Sequence, residues 1–400
     1  MKENILYNAD VVVCGAGPAG VCTAIASARN GADTLLVERG GALGGIWTSG
    51  LLSWIIDCHD KTGILKEIID KIIAEKRGYF GNGRRFIAEP EYLKYLLEDM
   101  CQKAGVKVLL YTTLCGANVE NDRITSINVT TKLGVEKICG KVFVDCTGDG
   151  DLGYFAGCNY SFGDDGGKKA QPMSLIALVD GIDAKNADHI NCTIPRKESY
   201  SHALNILKDM NSVGISPSYH RPSLFHVQDN LWIMMTNHQY GYSPFSVKDL
   251  TTATLNARKE IFEQVEALKN AGELYKNMRV VVTGSYIGVR EGRRILGEYT
   301  ISDQDIIEGK KFEDGVCRIN SNVDVHPTKL GNNFNDEHKG FSSQPYDVPL
   351  RACIAKDVSN LLMAGRCISG SFFAHSCYRM TGDAATMGEA VGKYASTLIK

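Results

Sequence analysis

The hydrophobic pattern near the N-terminus predicts a β-α-β unit. Val11 to Val13 form an apolar run that is typical of a buried parallel strand, and Thr34 to Val37 form a second one. The stretch from Gly15 to Gly20 lies between them and predicts a tight turn that opens a helix. We therefore expect two parallel strands joined by a helical crossover.

Amphipathic and alternating segments extend this unit as far as residue 150. The stretches "ILKEIIDKIIAEKRG" and "EPEYLKYLLEDMCQKAG" predict helices, the second with Pro90 near its start and Gly105 past its end. The stretch "VKVLLYTTLCGANVENDRITSINVTT" predicts strands joined by an Asn-Asp turn, and "KVFVDC" predicts another strand. These segments together predict a dinucleotide-binding type of domain.

The pattern changes from about Ser174 onward. Longer alternating segments such as "SLIALVDGID" predict strands, and a helix follows Ser246, which forms a predicted capping box with Asp249. We predict a mixed α+β domain over residues 151–343. The strand "NLLMAG" and a helix from about Asp383 to Ile399 then return to the first domain, which makes it discontinuous over residues 1–150 and 344–400.

Composition narrows the class of protein. A chain of 400 residues is long enough for two or three domains. The net charge of -2 creates no field that attracts nucleic acid, and no apolar run approaches the roughly 18 residues of a membrane span. The 13 Cys include no CxxC pair and the N-terminus has no signal pattern, so we expect reduced thiols, no bound metal and a cytoplasmic location.

The stretch Gly15-Ala16-Gly17-Pro18-Ala19-Gly20 fits the dinucleotide motif GxGxxG. The first glycine permits the turn, the second lets the backbone approach a pyrophosphate, and the third allows close packing of helix and strand. Glu38 ends the following strand, where a carboxylate binds ribose hydroxyls. This context predicts a dinucleotide site.

Two further glycine-rich loops favour FAD over a nicotinamide cofactor. One loop contains Gly44 and Gly45, and the other runs from Asp145 to Asp151 as "DCTGDGD". Small residues allow close backbone approach at both places, which suits the longer FAD molecule. An NAD-only dehydrogenase stays an alternative, although it explains these loops less well.

The chain resembles FAD-dependent oxidoreductases of the glutathione-reductase-like and succinate-dehydrogenase-flavoprotein superfamily. The resemblance rests on "GAGPAG", "VERGGALGGIWTSGLLSW", "VFVDCTGDGDL", "GVREGRRILGEYTISDQDI", "VDVHP", "YDVPLRA" and "LLMAGRCISGSFFAH" followed by "RMTGDAATMGEAVG". It implies an α/β fold in which a discontinuous Rossmann-like FAD-binding domain carries an inserted mixed α+β substrate domain. It also implies noncovalent FAD.

The resemblance assigns cofactor contacts residue by residue. Succinate dehydrogenase flavoproteins have an acidic residue where this chain has Arg366, so that ribityl contact departs from the family pattern. The implied FAD-binding residues are Gly15, Gly17, Ala19, Gly20, Glu38, Arg39, Gly44, Gly45, Leu114, Thr147, Gly148, Gly365, Arg366, Thr381, Ala384 and Ala385.

Four residues are candidates for catalysis. His375 and Arg379 resemble the His and Arg with which related flavoproteins bind a substrate beside the flavin, and Arg290 and His326 lie in family motifs of the substrate domain. Arg offers a fixed fork of donors to an oxyanion, and His exchanges a proton near neutral pH. We predict hydride transfer between FAD and a small organic substrate, either a hydroxy or keto acid or a sugar-like molecule.

Two other functions stay open at this point. A tRNA-modifying type of flavoprotein fits the resemblance, but the charge balance and the lack of a basic C-terminal domain disfavour a nucleic-acid partner. An electron-relay flavoprotein is the second alternative. The sequence predicts neither the electron donor or acceptor nor the oligomeric state.

Overall fold

The computed structural model describes residues 5–81, 85–164, 170–193, 196–331 and 340–399. Its strands are β1 (Ile5–Cys14), β2 (Thr34–Val37), β3 (Trp54–Ile56), β4 (Gly78–Phe80), β5 (Arg85–Ala88), β6 (Lys107–Leu109), β7 (Thr113–Glu120), β8 (Arg123–Thr131), β9 (Gly134–Asp145), β10 (Tyr160–Ser161), β11 (Ala177–Asp180), β12 (Ser223–Gln228), β13 (Leu231–Met235), β14 (Arg279–Thr283), β15 (Arg294–Ile295), β16 (Gly315–Ile319), β17 (Tyr346–Pro349) and β18 (Leu361–Met363). Its α-helices are α1 (Pro18–Arg29), α2 (Gly63–Ala74), α3 (Pro90–Lys103), α4 (Asp151–Phe155), α5 (Arg196–Ser212), α6 (Val247–Leu268), α7 (Asp303–Glu308), α8 (Phe372–Tyr378) and α9 (Thr381–Thr397).

The main sheet joins both ends of the chain. Its order is β6-β2-β1-β9-β8-β7, and β18 also pairs with β9. Strands β6, β2, β1, β9 and β18 are parallel, whereas β9, β8 and β7 form an antiparallel meander. The predicted β-α-β unit and the return of "NLLMAG" to it are both confirmed.

Helices α1 and α9 cross in close contact beside this sheet. A Cβ at Gly388 would lie 2.2 Å from the carbonyl oxygen of Ala19, and one at Gly392 would lie 2.2 Å from that of Thr23. Only glycine leaves room for the two backbones at these positions. The C-terminal helix is thereby part of the first core.

A second hydrophobic core surrounds the antiparallel sheet β12-β13-β11-β14, which α5 and α6 cover. Side chains from Met173 to Ile287 supply most of it. Buried side chains after Arg294, among them Ile295, Ile319 and Tyr346, pack instead in the first core. The predicted domain limits at 151 and 343 stay a prediction.

Local details differ from the sequence prediction at two helices. Ser246 Oγ accepts a hydrogen bond from Asp249 N, but the Asp249 carboxylate accepts from Ser243 N, so the capping box is only half formed. Residues 372–378 form α8, a helix that the sequence pattern did not predict.

Candidate active site

A cleft of about 790 Å³ lies between the two cores. One wall consists of the carboxyl ends of β1, β2 and β9 with the start of α9, and the other consists of residues around β11–β13 and residues 286–290. Carboxyl ends of parallel strands are the usual place of ligand binding in α/β sheets. The predicted site residues that line this cleft are Gly15, Gly17, Ala19, Glu38, Arg39, Gly45, Leu114, Thr147, Gly148, Arg290, His326, Gly365, Arg366, Arg379, Thr381 and Ala384.

The three motif glycines have different surroundings. Gly15 has φ +93°, and a Cβ there would lie 2.5 Å from the carbonyl oxygen of Cys146. A Cβ at Gly20 would lie 1.8 Å from the carbonyl oxygen of Gly15. Gly17, in contrast, has no atom within 4 Å of such a Cβ. The turn therefore needs Gly15 and Gly20 for its own packing, while Gly17 leaves open space towards the cleft.

Glu38 and Arg39 lie at one end of the cleft. The Glu38 carboxylate accepts hydrogen bonds from Ala16 N at 2.8 Å and from Gly40 N at 2.7 Å, which fixes it against the glycine turn. The Arg39 guanidinium lies 5.1 Å from the ring centroid of Tyr286, a residue of the opposite wall. This cation–π contact joins the two walls at that end.

Arg366 lies near the middle of the cleft. Its Nη2 donates to Asp149 Oδ1 at 2.9 Å, and it packs against Gly148 so closely that a Cβ there would lie 2.6 Å from Nη2. Its Nη1 is buried and has no hydrogen-bond partner among the described residues, and the same is true of Thr381 Oγ1. These two donors are free to bind a polar molecule in the cleft.

Three predicted catalytic residues converge at the far end. Arg379 Nη2 donates to Asp324 Oδ2 at 2.9 Å, and His326 Nε2 lies 3.5 Å from the same oxygen. Arg290 Nη1 donates to the carbonyl oxygen of Pro172 at 2.6 Å and to Ser174 Oγ at 2.9 Å. This cluster combines two cations, a carboxylate and an imidazole beside the start of α9.

Burial and charge set the protonation states of this cluster. Burial lowers the pKa of the His326 imidazole to about 4, and the Arg290 cation contributes to the shift. Burial raises the pKa of the Asp324 carboxyl, but His326, Arg379 and Arg290 outweigh that effect and hold it below its usual value. Burial and Arg379 lower the pKa of Arg290 to about 10. At neutral pH the cluster therefore has a neutral imidazole beside charged arginines.

The family model described as FAD dependent oxidoreductase matches residues 10–400. The chain belongs to the FAD-dependent oxidoreductase family. FAD is therefore its cofactor, and the predicted enzyme class, α/β fold and resemblance are confirmed.

Individual relatives of this oxidoreductase are distant. Digeranylgeranylglycerophospholipid reductase of Methanocella arvoryzae is 29% identical over 173 residues, which are 38% of this chain and 42% of the relative. The chain thus matches less than half of that curated relative. One solved structure, a flavin-dependent brominase triple mutant, shares the fold at 11% identity and a TM-score of 0.51, covering 98% of this chain and 79% of that one. A geranylgeranyl bacteriochlorophyll reductase-like protein from Thermoplasma acidophilum is also similar, at 13% identity and a TM-score of 0.46, covering 98% of this chain and 77% of that one.

The cleft of this oxidoreductase fits FAD. The open space at Gly17 leaves room for a pyrophosphate beside the start of α1, where backbone N–H groups favour anions. The buried Arg366 Nη1 and Thr381 Oγ1 offer donors further along. We keep the individual cofactor contacts as predictions.

Four predicted site residues lie outside the cleft lining. Gly20, Gly44 and Ala385 pack behind it. His375 is fully buried in α8, and neither ring nitrogen has a hydrogen-bond partner within the described part of the chain. Burial lowers its pKa well below the usual value, and Arg294 adds to this. The structure does not bring His375 into the cluster of Arg290, His326 and Arg379.

Sequence reasoning missed three members of the cluster. Tyr219 lines the cleft, and its ring lies 4.0 Å from that of His238 and 6.0 Å from that of His326. Asp324 could have been predicted from the sequence, because it lies two residues before His326 in "VDVHP". In an extended segment, residues two positions apart lie on the same side. No local pattern singles out Tyr219 or His238.

A buried ion pair supports the start of α9. Lys61 Nζ lies 2.7 Å from Asp383 Oδ1 and also donates to the carbonyl oxygen of Arg318. Both side chains are almost completely buried, at 4% and 0% exposure. Lys61 thereby connects the segment after β3 to β16 and to the helix end that lines the cleft.

We expect the substitution Lys61→Met to lower the free energy of unfolding by about 3 kcal/mol, because loss of one partner leaves a buried carboxylate uncompensated. Denaturant unfolding of the holoenzyme measures this change. Lys66→Met is the matched control: Lys66 pairs with Asp70 on the surface, and its loss should cost below about 0.5 kcal/mol. Equal effects of the two substitutions would contradict a stabilising role of the buried pair.

Proposed function

We propose that this oxidoreductase transfers a hydride between FAD and a small anionic organic substrate of the hydroxy acid or keto acid type. The observation that carries the proposal is the cluster of Arg290, Arg379, Asp324 and His326 beside the start of α9. FAD supplies the two-electron redox chemistry. The protein supplies binding, orientation and proton transfer.

Arg290 is the proposed anion-binding residue. Its Nη1 is fixed by Pro172 and Ser174, while Nε and Nη2 have no hydrogen-bond partner among the residues that the structure describes. A guanidinium held in this way offers a fork to a substrate carboxylate. We assign no sugar-specific contact, because two arginines, one carboxylate and a neutral imidazole leave the cluster with a net positive charge that favours an anion.

His326 is the proposed proton acceptor. The neutral imidazole takes the hydroxyl proton while the carbon loses its hydride, so that an alcohol becomes a carbonyl. Asp324 lies 3.5 Å from His326 Nε2 and stabilises the imidazolium that forms. Reduction would need a protonated His326 as proton donor, which a pKa of about 4 favours only in acid. The name of the curated relative describes a reductase.

Anaerobic mixing of the holoenzyme with hydroxy acids, sugars and amines tests the proposal. We expect 2-hydroxy acids to bleach the flavin absorbance, at a rate that is constant above roughly pH 5 and falls with one proton below about pH 4. The rate falls because protonated His326 cannot accept the hydroxyl proton.

The control is the flavin absorbance of the enzyme alone at each pH, which should stay that of bound FAD. The variant His326→Gln should still bind FAD, but hydroxy acids should no longer reduce its flavin at a measurable rate. The proposal is wrong if sugars or amines bleach the flavin and hydroxy acids do not, or if His326→Gln reduces the flavin at the unsubstituted rate at neutral pH.

A further inference from the structure

The second wall of the cleft carries five apolar side chains, which we call the apolar strip. It consists of Ile176, Phe225, Met235, Ile287 and Val289. Phe225 packs against Trp54 of β3, with ring centroids 4.5 Å apart and the ring planes tilted by 34°. No side chain of the strip is charged or carries a hydrogen-bonding group. A molecule between the walls therefore meets hydrocarbon, aromatic and thioether groups on this side.

The strip begins next to the anion-binding end of the cleft. Ile176 lies two residues after Ser174, whose Oγ accepts from Arg290 Nη1 at 2.9 Å. In an extended segment such residues share a face and lie about 7 Å apart. Val289 directly precedes Arg290 in the chain. Ile176, Val289 and Arg290 all line the same cleft, so a ligand bound at Arg290 can extend along the strip.

The apolar strip and the Arg290 guanidinium disfavour the binding of different classes of molecule. A sugar has a hydroxyl on nearly every carbon, and each hydroxyl that loses water without a new partner weakens binding. The strip offers such hydroxyls no partner, whereas an alkyl chain gains from leaving water. A substrate without any polar head would in turn leave the Arg290 guanidinium desolvated.

We infer that the substrate is an amphiphile, with an anionic head at Arg290 and an apolar hydrocarbon body along the apolar strip. This inference rests on the proposed function, since it names the class of acid that the site takes. It is carried by the five apolar side chains that line the same cleft as the arginine.

Titration of the holoenzyme with straight-chain carboxylates from propanoate to octanoate tests the inference without turnover, because binding beside the flavin perturbs its absorbance. We expect the dissociation constant to fall by about fourfold for each added methylene until the strip is filled. The matching 2-hydroxy acids should show the same trend in the concentration that half-saturates flavin bleaching. Gluconate, a polar acid of similar length to hexanoate, should bind far more weakly.

Met235→Gln places an amide on the strip and should flatten the dependence on chain length while FAD content stays unchanged. Leu255→Gln, at an exposed position of α6, is the control and should leave the dependence intact. The inference is wrong if affinity does not rise with chain length, or if gluconate binds as well as hexanoate. It is also wrong if Met235→Gln changes only FAD affinity, since the strip would then contact the cofactor alone. If carboxylates bind as expected but no hydroxy acid bleaches the flavin, the proposed function fails and the inference on the ligand class stands.

Discussion

Replacing Arg379 by Ala is expected to slow substrate-dependent flavin reduction by about 10²- to 10³-fold while FAD stays bound. A decrease of this size is typical when an enzyme loses one hydrogen-bond donor beside the reacting group. Arg379 Nη2 holds both the backbone oxygen and the carboxylate of Asp324, at 2.6 Å and 2.9 Å. Its loss frees Asp324 from its position next to His326 and removes a cation from the cluster. Anaerobic stopped-flow absorbance measures the rate.

Three comparisons distinguish this role from a general loss of structure. Arg379→Lys keeps the charge but not the fork and should recover part of the rate. Added guanidinium should partly rescue the alanine variant. Arg351→Ala, which breaks an exposed pair with Asp314, should leave the rate unchanged. Unaltered kinetics in Arg379→Ala would remove Arg379 from the site.

The cofactor half of the cleft was predictable because it is local in sequence. The turn from Gly15 to Gly20 and the strand end at Glu38 belong to one β-α-β unit, so their spacing alone brings them together. Backbone geometry forces glycine at Gly15 and Gly20, and such constraints leave a visible motif. The structure brings Gly15, Gly17, Ala19 and Glu38 to the same cleft, with Gly20 packed behind it.

The substrate half was less predictable because it is assembled from distant segments. Tyr219, Arg290, Asp324 and Arg379 come from four separate parts of the chain. Their contacts depend on how the two cores pack, and no periodicity in the sequence records that packing. Arg290, His326 and Arg379 were reached through the family resemblance, whereas Tyr219 had no such signal.

His375 shows why the C-terminal segment was harder to interpret. All seven residues of α8 are buried, so the segment has no polar face and lacks the amphipathic pattern by which helices are recognised. The helix turns His375 away from the cleft while Arg379, one residue past its end, lines it. The family resemblance predicted that the two would act together, but the end of the helix separates them.

The glycine turn leads to the second large expected effect. Gly20→Val should abolish recovery of folded FAD-containing protein, because its Cβ would lie 1.8 Å from the carbonyl oxygen of Gly15 and the backbone cannot move without opening the turn. Gly17→Ala should leave the fold intact, since Gly17 has φ -69° and its Cβ would meet no protein atom. The added methyl group points into open space beside the start of α1, and we expect FAD affinity to fall about 10- to 100-fold from overpacking alone.

Thermal unfolding of the apoprotein and FAD titration by fluorescence separate the two effects. Gly17→Ala should unfold at the same temperature as the unsubstituted apoprotein and differ only in its dissociation constant for FAD. If it binds FAD normally, the cofactor does not pass Gly17, and the predicted contacts of Gly15, Gly17 and Ala19 are wrong together. If Gly20→Val folds and binds FAD, the turn tolerates a side chain at its tightest contact. The two glycines are three residues apart in one turn, and their expected outcomes differ because a Cβ at Gly20 meets the backbone of Gly15 whereas a Cβ at Gly17 meets open space.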